Sequence, residues 1–321
     1  MSMRSRLDVA GKTVFITGAA RGIGAATAER LYAAGANVAL VGLEPQLLAA
    51  LAERLGRRAA WFEADVADFD ALRTAVDGTV ARFGAIDVAI ANAGIQFMGR
   101  MATVPREQFE RTIEVNLLGA WRTDRAVLDE IVRNRGYLLN ISSLAAASHA
   151  PLMGAYAASK AGVEAMTDCL RAELAPSGAR VGCAYFGFID TDLVRASYAH
   201  ASTRAMMADL PGFVARPAPL ADAVDAIERG IARRSARLWA PRYVGGALAL
   251  RGIVQPLAEL RMRRSHRLPG ALALADPVAG EPLDERHALL GVSGQASAQA
   301  DRGTIYASAP RGVPDRDLQR R

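Results

Sequence analysis

The sequence predicts an α/β protein with a doubly wound parallel sheet, formed by one main domain and followed by a C-terminal extension. Three observations carry this prediction. Short apolar runs alternate with helical stretches along most of the chain, which is typical of βαβ units. A glycine-rich turn directly follows the first apolar run. The chain has 321 residues, 51% of them hydrophobic, so it can bury a large core.

Seven apolar runs rich in β-branched residues predict strands over 12–17, 37–42, 59–63, 86–91, 136–142, 179–186 and 237–240. Helical stretches are predicted over 22–34, 44–55, 69–83, 106–133, 154–175 and 222–234. Right-handed crossovers between parallel strands favour helices on both faces of the sheet. The ligand crevice of such a sheet lies at the carboxyl ends of its strands, where Gly18, Asn92, Ser143 and Gly187 are expected to cluster.

The turn after the first strand contains Gly18, Gly22 and Gly24 in the spacing G-x-x-x-G-x-G. Glycines let the backbone turn tightly and approach a pyrophosphate, and the following helix N-terminus supplies N–H donors. Any strand-to-helix connection can use glycine, so the motif alone is weak. Its place between a strand and a helix favours nucleotide binding.

Tyr156 and Lys160 are four residues apart, so they point the same way on a helix. A nearby ammonium favours the phenolate of a tyrosine, whose free pKa is about 10. Only Lys12 and Lys160 are lysine among the 39 basic residues, which makes this lysine conspicuous. The pair predicts a proton donor that works near neutral pH. The alternative is an incidental polar pair on an exposed helix.

Other landmarks occur in the same order and spacing as in a known family. Asn92-Ala93-Gly94 follows the fourth strand, Ser143 lies thirteen residues before Tyr156, and Asn116 lies forty before it. With the glycine turn and Tyr156/Lys160, these motifs resemble the classical short-chain dehydrogenase/reductase family over Leu7 to Tyr243. The resemblance implies a Rossmann fold with a single catalytic domain.

The resemblance also implies roles for individual residues. The catalytic set is Asn116, Ser143, Tyr156 and Lys160. Tyr156 would exchange a proton with the substrate oxygen, Ser143 would hold that oxygen, and Asn116 would anchor a water that links Lys160 to solvent. The implied cofactor-binding residues are Gly18, Arg21, Gly22, Ile23, Gly24, Asp65, Val66, Asn92, Ala93, Gly94, Tyr156, Lys160, Gly187 and Thr191.

The implied reaction interconverts a secondary alcohol and a ketone, or a primary alcohol and an aldehyde, with NAD(P). A catalytically silent dinucleotide sensor or scaffold is the alternative, since fold alone does not establish activity.

The sequence leaves the preference between NAD and NADP open. The family's NAD-preferring members usually have an acid at the position of Gly42, and its NADP-preferring members often have arginine at the position of Leu43. Arg21 could meet a 2′-phosphate and favours NADP slightly, whereas Glu44 argues for NAD. The chain also departs from the family at Phe186, where a proline is usual, so nicotinamide placement is expected to differ.

The segment from Asp192 to Pro219 corresponds to a mobile substrate-covering loop of the family. Its apolar side chains are Leu193, Tyr198, Met206, Met207, Leu210 and Phe213. Flexible methionines suit an apolar surface, so we expect a hydrophobic alcohol or ketone as substrate. Packing of these residues onto the core is an equal alternative.

The sequence divides into a dehydrogenase domain over 1–245, a basic amphipathic extension over 246–275 and an expected disordered tail over 276–321. Ten arginines and one acid, Glu259, lie between Arg229 and Arg267. The amphipathic segment is expected to break at Pro256. It could contact an anionic membrane through 246–267, pack against a partner subunit, or pack on its own domain.

The remaining expectations concern partners and location. Cys169 and Cys183 are expected to be buried thiols, and no metal site or nucleic-acid motif is expected. His149 is expected in a surface loop, with a place beside the substrate as the alternative. The chain lacks an apolar leader or an apolar run near 18 residues, so we expect a cytoplasmic protein, with membrane association through the extension as the open alternative. The resemblance implies a homodimer or homotetramer formed by the helices near 106–133 and 154–175.

Overall fold

The computed structural model describes residues 6–275. The strands are β1 Thr13–Thr17, β2 Asn37–Gly42, β3 Ala59–Glu63, β4 Val88–Ala91, β5 Tyr137–Ser143, β6 Arg180–Phe186 and β7 Arg237–Ala240. The first helices are α1 Gly22–Ala33, α2 Pro45–Leu55, α3 Phe69–Phe83, α4 Arg106–Ile113, α5 Gly119–Arg133 and α6 Gly154–Glu173. The later helices are α7 Asp192–Ala199, α8 Ala201–Met207, α9 Gly212–Ala215, α10 Leu220–Arg233, α11 Arg242–Ala249, α12 Arg251–Arg263 and α13 Leu268–Ala273.

All seven strands pair in parallel in the order β3-β2-β1-β4-β5-β6-β7. Alternate residues of each strand face opposite layers. Val14 and Ile16 pack with α1, α2 and α10, whereas Phe15 packs with α3 and α5 on the other face. The chain leaves β1 toward one edge and returns through β4 toward the other, so the crevice where strand order reverses opens beside β1 and β4.

The predicted fold class is confirmed, and the predicted strand and helix ends lie within two residues of the observed ones. Buried strands such as β1, in which every residue is buried, give an unbroken apolar run that is easily recognised in sequence.

The predicted single helix over 106–133 is wrong in one respect. A π-helical turn, Glu114–Leu118, separates α4 from α5 and carries Asn116. Such turns insert an extra residue into the helix and often occur at functional sites. Here the side chain of Asn116 bonds to a different segment of the chain, which a periodicity pattern cannot reveal.

The extension forms α11, α12 and α13. The predicted break at Pro256 is also wrong, because α12 continues from Arg251 to Arg263. Proline removes the bond to the carbonyl four residues earlier, but Gly252 and Pro256 are both exposed, so water can reach that carbonyl. The boundary suggested after residue 245 falls inside α11, and the tail over 276–321 lies outside the described residues.

The two cysteines differ. Cys183 is buried in β6 as expected, but Cys169 is exposed on α6, so the prediction for Cys169 is wrong. The exposure of a free thiol on an amphipathic helix depends on which face carries it, and Cys169 lies on the outer face of α6. Across residues 6–275, the helices are too short or too polar to cross a membrane.

Candidate active site

A cavity of about 1290 Å³ lies at the carboxyl ends of the strands. Its walls come from the turn after β1, the ends of β2 to β6, the start of α6, the segment after β6 and the helices of the extension. All the predicted site residues line it except Gly24 and Asn116. The side chains that the sequence placed at one edge of the sheet therefore share one space.

The glycine turn is tight, as its sequence predicted. Gly18 and Gly22 have φ angles of +64° and +56°, which side chains rarely adopt. A Cβ on Gly24 would lie 2.2 Å from the Gly18 carbonyl oxygen. No side chain caps the N-terminus of α1, and no acid occupies its first turn. Its first amides are thus available to an anion.

Asn92 holds the turn in place. Its Nδ2 donates to the carbonyl oxygens of Thr17 and Gly18, at 3.0 and 3.1 Å. Its backbone N–H donates to the Thr17 hydroxyl at 3.1 Å. The amide side chain is therefore occupied in joining β4 to β1, and it positions the turn beside the cavity.

Asp65 is paired within the protein. One carboxylate oxygen accepts the N–H of Ala67, and the other accepts Nη2 of Arg111, each at 2.9 Å. Arg111 lies on α4 and also lines the cavity with Val66. The contribution of Arg111 was missed, since nothing in its local sequence marks it as a cavity residue.

Tyr156 and Lys160 occupy one face of α6, one turn apart. The Lys160 ammonium lies 5.7 Å from the centre of the Tyr156 ring and donates to the Ile141 carbonyl at 2.9 Å. Lys160 is 4% exposed. Burial lowers the pKa of its ammonium to about 8, because the charged form loses water.

The pKa of Tyr156 differs from the sequence expectation. Loss of water around the phenol raises this pKa, and a hydrogen bond with Ser143 offsets part of the rise. The lowering of this pKa that the neighbouring Lys160 led us to expect does not prevail, because burial is the dominant effect. In the protein alone, the phenol is the favoured form at neutral pH.

Ser143 ends β5 beside the end of β6. Its hydroxyl donates to the Phe186 carbonyl at 3.2 Å and accepts the N–H of Ala145 at 3.1 Å. Phe186 is the last residue of β6, 4% exposed, and lines the cavity. The residue that departs from the family pattern thus holds the hydroxyl of Ser143 through its backbone carbonyl.

Asn116 acts behind the cavity wall. Its Oδ1 accepts the N–H of Ile95 at 2.8 Å, and its Nδ2 donates to the Ile95 carbonyl at 2.9 Å and to Ser159 Oγ at 3.1 Å. A Cβ on Gly94 would lie 3.2 Å from Asn116 Oδ1 and 3.5 Å from Lys160 Nζ. The absence of a side chain at Gly94 keeps the space between these two groups open.

Thr191 and Gly187 flank the cavity after β6. The Thr191 hydroxyl caps α7 by accepting the N–H of Val194 at 3.4 Å, and its methyl group lies 3.7 Å from a Cβ placed on Gly22. A Cβ on Gly187 would lie 2.6 Å from the Tyr243 hydroxyl. The close packing explains why glycine occupies position 187.

The far half of the cavity is mainly apolar. Its side chains from the segment after β6 are Leu193, Val194, Met206, Met207, Leu210 and Val214. Tyr198 instead bonds to the Ala215 carbonyl at 2.5 Å, and Phe213 is exposed and packs against Tyr243. Part of this segment therefore forms the apolar surface of the cavity, and part of it packs against the rest of the protein.

The extension completes this half of the cavity. Val254, Ala258, Met262 and Leu268 line the cavity from α12 and α13. The spacing of the first three predicts one helix face, but sequence cannot tell what that face contacts. His149 is exposed, outside the cavity lining, and its N–H donates to Gln255 Oε1 at 2.7 Å. The expectation of a surface histidine is confirmed.

The chain belongs to the short chain dehydrogenase family, whose family model matches residues 12–202. It is a dehydrogenase that acts on CH–OH groups with a nicotinamide dinucleotide, as the resemblance implied. The described residues from 203 to 275, which include the extension, lie beyond the matched region.

Individual relatives agree with this assignment. Trans-4-hydroxycyclohexanecarboxylate dehydrogenase of Sinomonas cyclohexanicum is 36% identical over 194 residues, covering 58% of this chain and 75% of the relative. The 3beta-hydroxysteroid dehydrogenase 1 of Eggerthella lenta is 33% identical over 226 residues, covering 67% of this chain and 86% of the relative. The solved structure of gox2181 shares the fold, with a TM-score of 0.67, 23% identity and coverage of 76% of this chain and 97% of that one.

The glycine turn gives a direct test of the cofactor site. Gly24→Ala places a methyl group against the Gly18 carbonyl, so the turn must shift. We expect dinucleotide affinity to fall at least about tenfold, in line with the cost of overpacking. Isothermal titration calorimetry measures the dinucleotide affinity. Gly246→Ala is the matched control, because its Cβ meets nothing within 4 Å. Equal affinity of the two variants would contradict the placement.

Proposed function

We propose that this dehydrogenase interconverts a secondary alcohol and a ketone, or a primary alcohol and an aldehyde, on a substrate with a sizeable apolar body, and that Tyr156 is its acid/base. One observation carries the proposal. The Tyr156 phenol and the Lys160 ammonium share one helix face at the centre of a cavity, with the glycine turn on one side and an apolar chamber on the other.

The glycine-turn half of the cavity fits a dinucleotide. Gly18 and Gly22 have no side chain that would keep a ligand away from the backbone. The uncapped α1 N-terminus presents N–H donors where a pyrophosphate would lie. Asp65 and Val66 line the expected adenine region, and Thr191 lies beside Gly22. When bound, the nicotinamide dinucleotide supplies the hydride acceptor or donor.

The protein's own residues manage the proton and the developing charge. Tyr156 gives a proton to the oxygen as a carbonyl is reduced, and takes it back in the oxidising direction. Ser143, which already bonds to the phenol, orients that oxygen. Lys160 provides the positive charge that offsets the desolvation of a phenolate. Asn116 positions the backbone at Ile95, and with Gly94 it maintains a space beside Lys160 that suits a proton-relaying water.

The apolar chamber supports a hydrophobic substrate. Methionine and leucine side chains from the segment after β6 face α12 across it. Two relatives are named for a hydroxycyclohexane carboxylate and a hydroxysteroid, both of which carry a hydroxyl on an aliphatic ring. A ring of this kind would place its carbinol carbon at Tyr156 and bury its apolar face in the chamber.

The Arg21–Glu44 pair is the proposed determinant of cofactor preference. Arg21 Nη2 pairs with one carboxylate oxygen of Glu44, and Arg21 Nε donates to the other at 3.1 Å. Both side chains line the cavity near Gly42 and Leu43. The arginine would bind a 2′-phosphate, and the carboxylate would accept ribose hydroxyls. We keep a slight preference for NADP, because Gly42 provides no acid next to the ribose.

A homodimer or homotetramer through α5 and α6 is also proposed. Trp121 on α5 is 53% exposed, and Leu118 in the adjoining π-helical turn is 37% exposed. Large apolar side chains at the surface are typical of subunit interfaces. A paired helix would cover both.

The central test of the proposed function is Tyr156→Phe. We expect kcat/KM on hydrophobic secondary alcohols and ketones to fall at least about a hundredfold, because the phenol supplies the proton. Dinucleotide affinity should stay within about twofold, since only one oxygen is removed. Nicotinamide absorbance measures the rate, and calorimetry measures the affinity.

Tyr32→Phe is the matched control, because Tyr32 lies on α1 outside the cavity lining. It should keep the wild-type rate. A Tyr156→Phe variant as active as the wild type would refute the acid/base role. Dinucleotide binding by the wild type without turnover of any compound in a broad panel would favour the sensor alternative.

Substitution of Glu44 and Arg21 tests the proposed preference. Glu44→Gln removes the carboxylate that competes for Arg21 and repels a 2′-phosphate, so the NADP-to-NAD ratio of kcat/KM should rise about tenfold. Arg21→Gln should lower the same ratio. Steady-state kinetics with both cofactors gives the ratios. If neither substitution moved the ratio, the pair would not determine the preference.

A further inference from the structure

We propose that the outer face of α12 docks on an anionic lipid surface and holds the apolar chamber next to the membrane. The docking itself rests on the geometry and charge of α12. Its consequence, that an apolar substrate passes between the lipid and the chamber, rests on the proposed function.

The outer face of α12 is an exposed apolar ridge. Its members are Leu250, which directly precedes α12, and Ile253, Leu257 and Leu260 on the helix; they are 55%, 60%, 60% and 44% exposed. Their spacing of three, four and three residues places them on one side of a helix. Four large aliphatic side chains exposed in a row are unusual on a soluble surface and mark an interaction site.

A second face of α12 is already committed to the cavity. Val254, Ala258 and Met262 line the chamber. Arg251 at the start of α12 forms two hydrogen bonds to the buried Glu164 of α6, at 3.1 and 2.7 Å. This contact joins the start of α12 to α6, while the ridge side chains remain exposed.

The other end of α12 is joined to the chamber's opposite wall. Arg261 donates from Nε and Nη2 to the Asp209 carbonyl, at 3.1 and 2.9 Å. Arg267 donates to the Asp209 carboxylate at 3.3 Å, and Ser265 also bonds to that carboxylate. One helix thus forms a chamber wall on one side and the apolar ridge on the other. A surface that receives the ridge lies directly beside the chamber.

The charge around the ridge selects an anionic partner. Residues 246–275 contain five arginines and one acid, Glu259. Arg251 and Arg267 pair with Glu164 and Asp209, so the excess positive charge beside the ridge comes from the other three, Arg261, Arg263 and Arg264. Arg264 follows Leu260 by four residues and Leu257 by seven, so it lies on the ridge itself, and it is exposed. Arg263 lies at the edge of the ridge with a side chain 75% exposed, and its Nη1 is 3.8 Å from Oε1 of Glu259. An apolar stripe with arginines at its end is the pattern of helices that lie in the interface of anionic membranes.

The same charge disfavours a second copy of this chain as the partner. In a two-fold pairing through the ridge, each copy contacts the same patch of the other. With the two helices parallel, both Arg264 side chains would meet, and with the helices antiparallel each would lie against the apolar start of the other ridge; neither arrangement supplies an acid for this charge. A lipid surface instead takes the leucines into its acyl boundary while phosphate groups neutralise the arginines.

Vesicle sedimentation of the full-length chain tests the proposal. We expect binding to vesicles of phosphatidylcholine with phosphatidylglycerol, weaker binding to phosphatidylcholine alone, and weakening by salt. Ile253→Asp/Leu257→Asp should lower the partition coefficient on anionic vesicles at least about tenfold, because two apolar anchors are replaced by repelled charges. Leu47→Asp is the matched control, since Leu47 is 44% exposed on α2, beside β2 and β3 at the other edge of the sheet. It should bind as the wild type does.

Turnover of a water-soluble ketone without vesicles separates this test from that of the proposed function, and the ridge variants should keep the wild-type rate. Absence of wild-type binding to anionic vesicles would overturn the docking whatever the activity, including the case in which residues 276–321 cover the ridge. Equal loss in Leu47→Asp would also overturn it. Sedimentation velocity identifies a second copy as the occupant if the ridge substitutions lower the oligomer mass and leave vesicle binding unchanged.

Discussion

Burial of the Tyr156–Lys160 pair is the constraint on which the proposed chemistry depends. Desolvation disfavours the charged form of both groups, so it raises the pKa of the phenol and lowers that of the ammonium to about 8. The protein holds Lys160 with the Ile141 carbonyl and Tyr156 with Ser143, which keeps both groups in place before any ligand enters. A phenol that is protonated at rest is a suitable donor for carbonyl reduction. The reverse reaction needs added positive charge, which an oxidised nicotinamide ring carries.

The extension changes how the substrate half of the cavity is built. The family match ends at residue 202, yet α12 and α13 contribute chamber walls and are joined to α6 and Asp209. On the proposed function, substrate choice would depend on residues outside the matched region. The chamber wall and the exposed apolar ridge belong to one helix.

The sequence predicted the parts of the structure that depend on local pattern. Buried strands such as β1 give unbroken apolar runs, and the glycines at 18, 22 and 24 are required by the backbone of the turn itself. The parts it missed depend on contacts between distant segments. The position of Asn116 depends on its bonds to Ile95, and that of Arg111 on its bond to Asp65. The continuity of α12 across Pro256 depends on the exposure of Gly252 and Pro256 to water. The direction of the Tyr156 pKa depends on burial, which the four-residue spacing to Lys160 does not report.

A pH titration of the Tyr156 phenol tests the account most directly. The near-ultraviolet absorbance of the wild type minus that of Tyr156→Phe isolates the signal of this tyrosine. The titration is done in the protein alone and with the oxidised dinucleotide, NAD or NADP, that the protein binds more tightly. The account predicts a pKa above the ordinary tyrosine value in the protein alone, since burial dominates, and a lower pKa once the positive nicotinamide ring lies beside the phenol. A phenol that already ionises below the ordinary value without ligand, or a pKa that binding leaves unchanged, would contradict it.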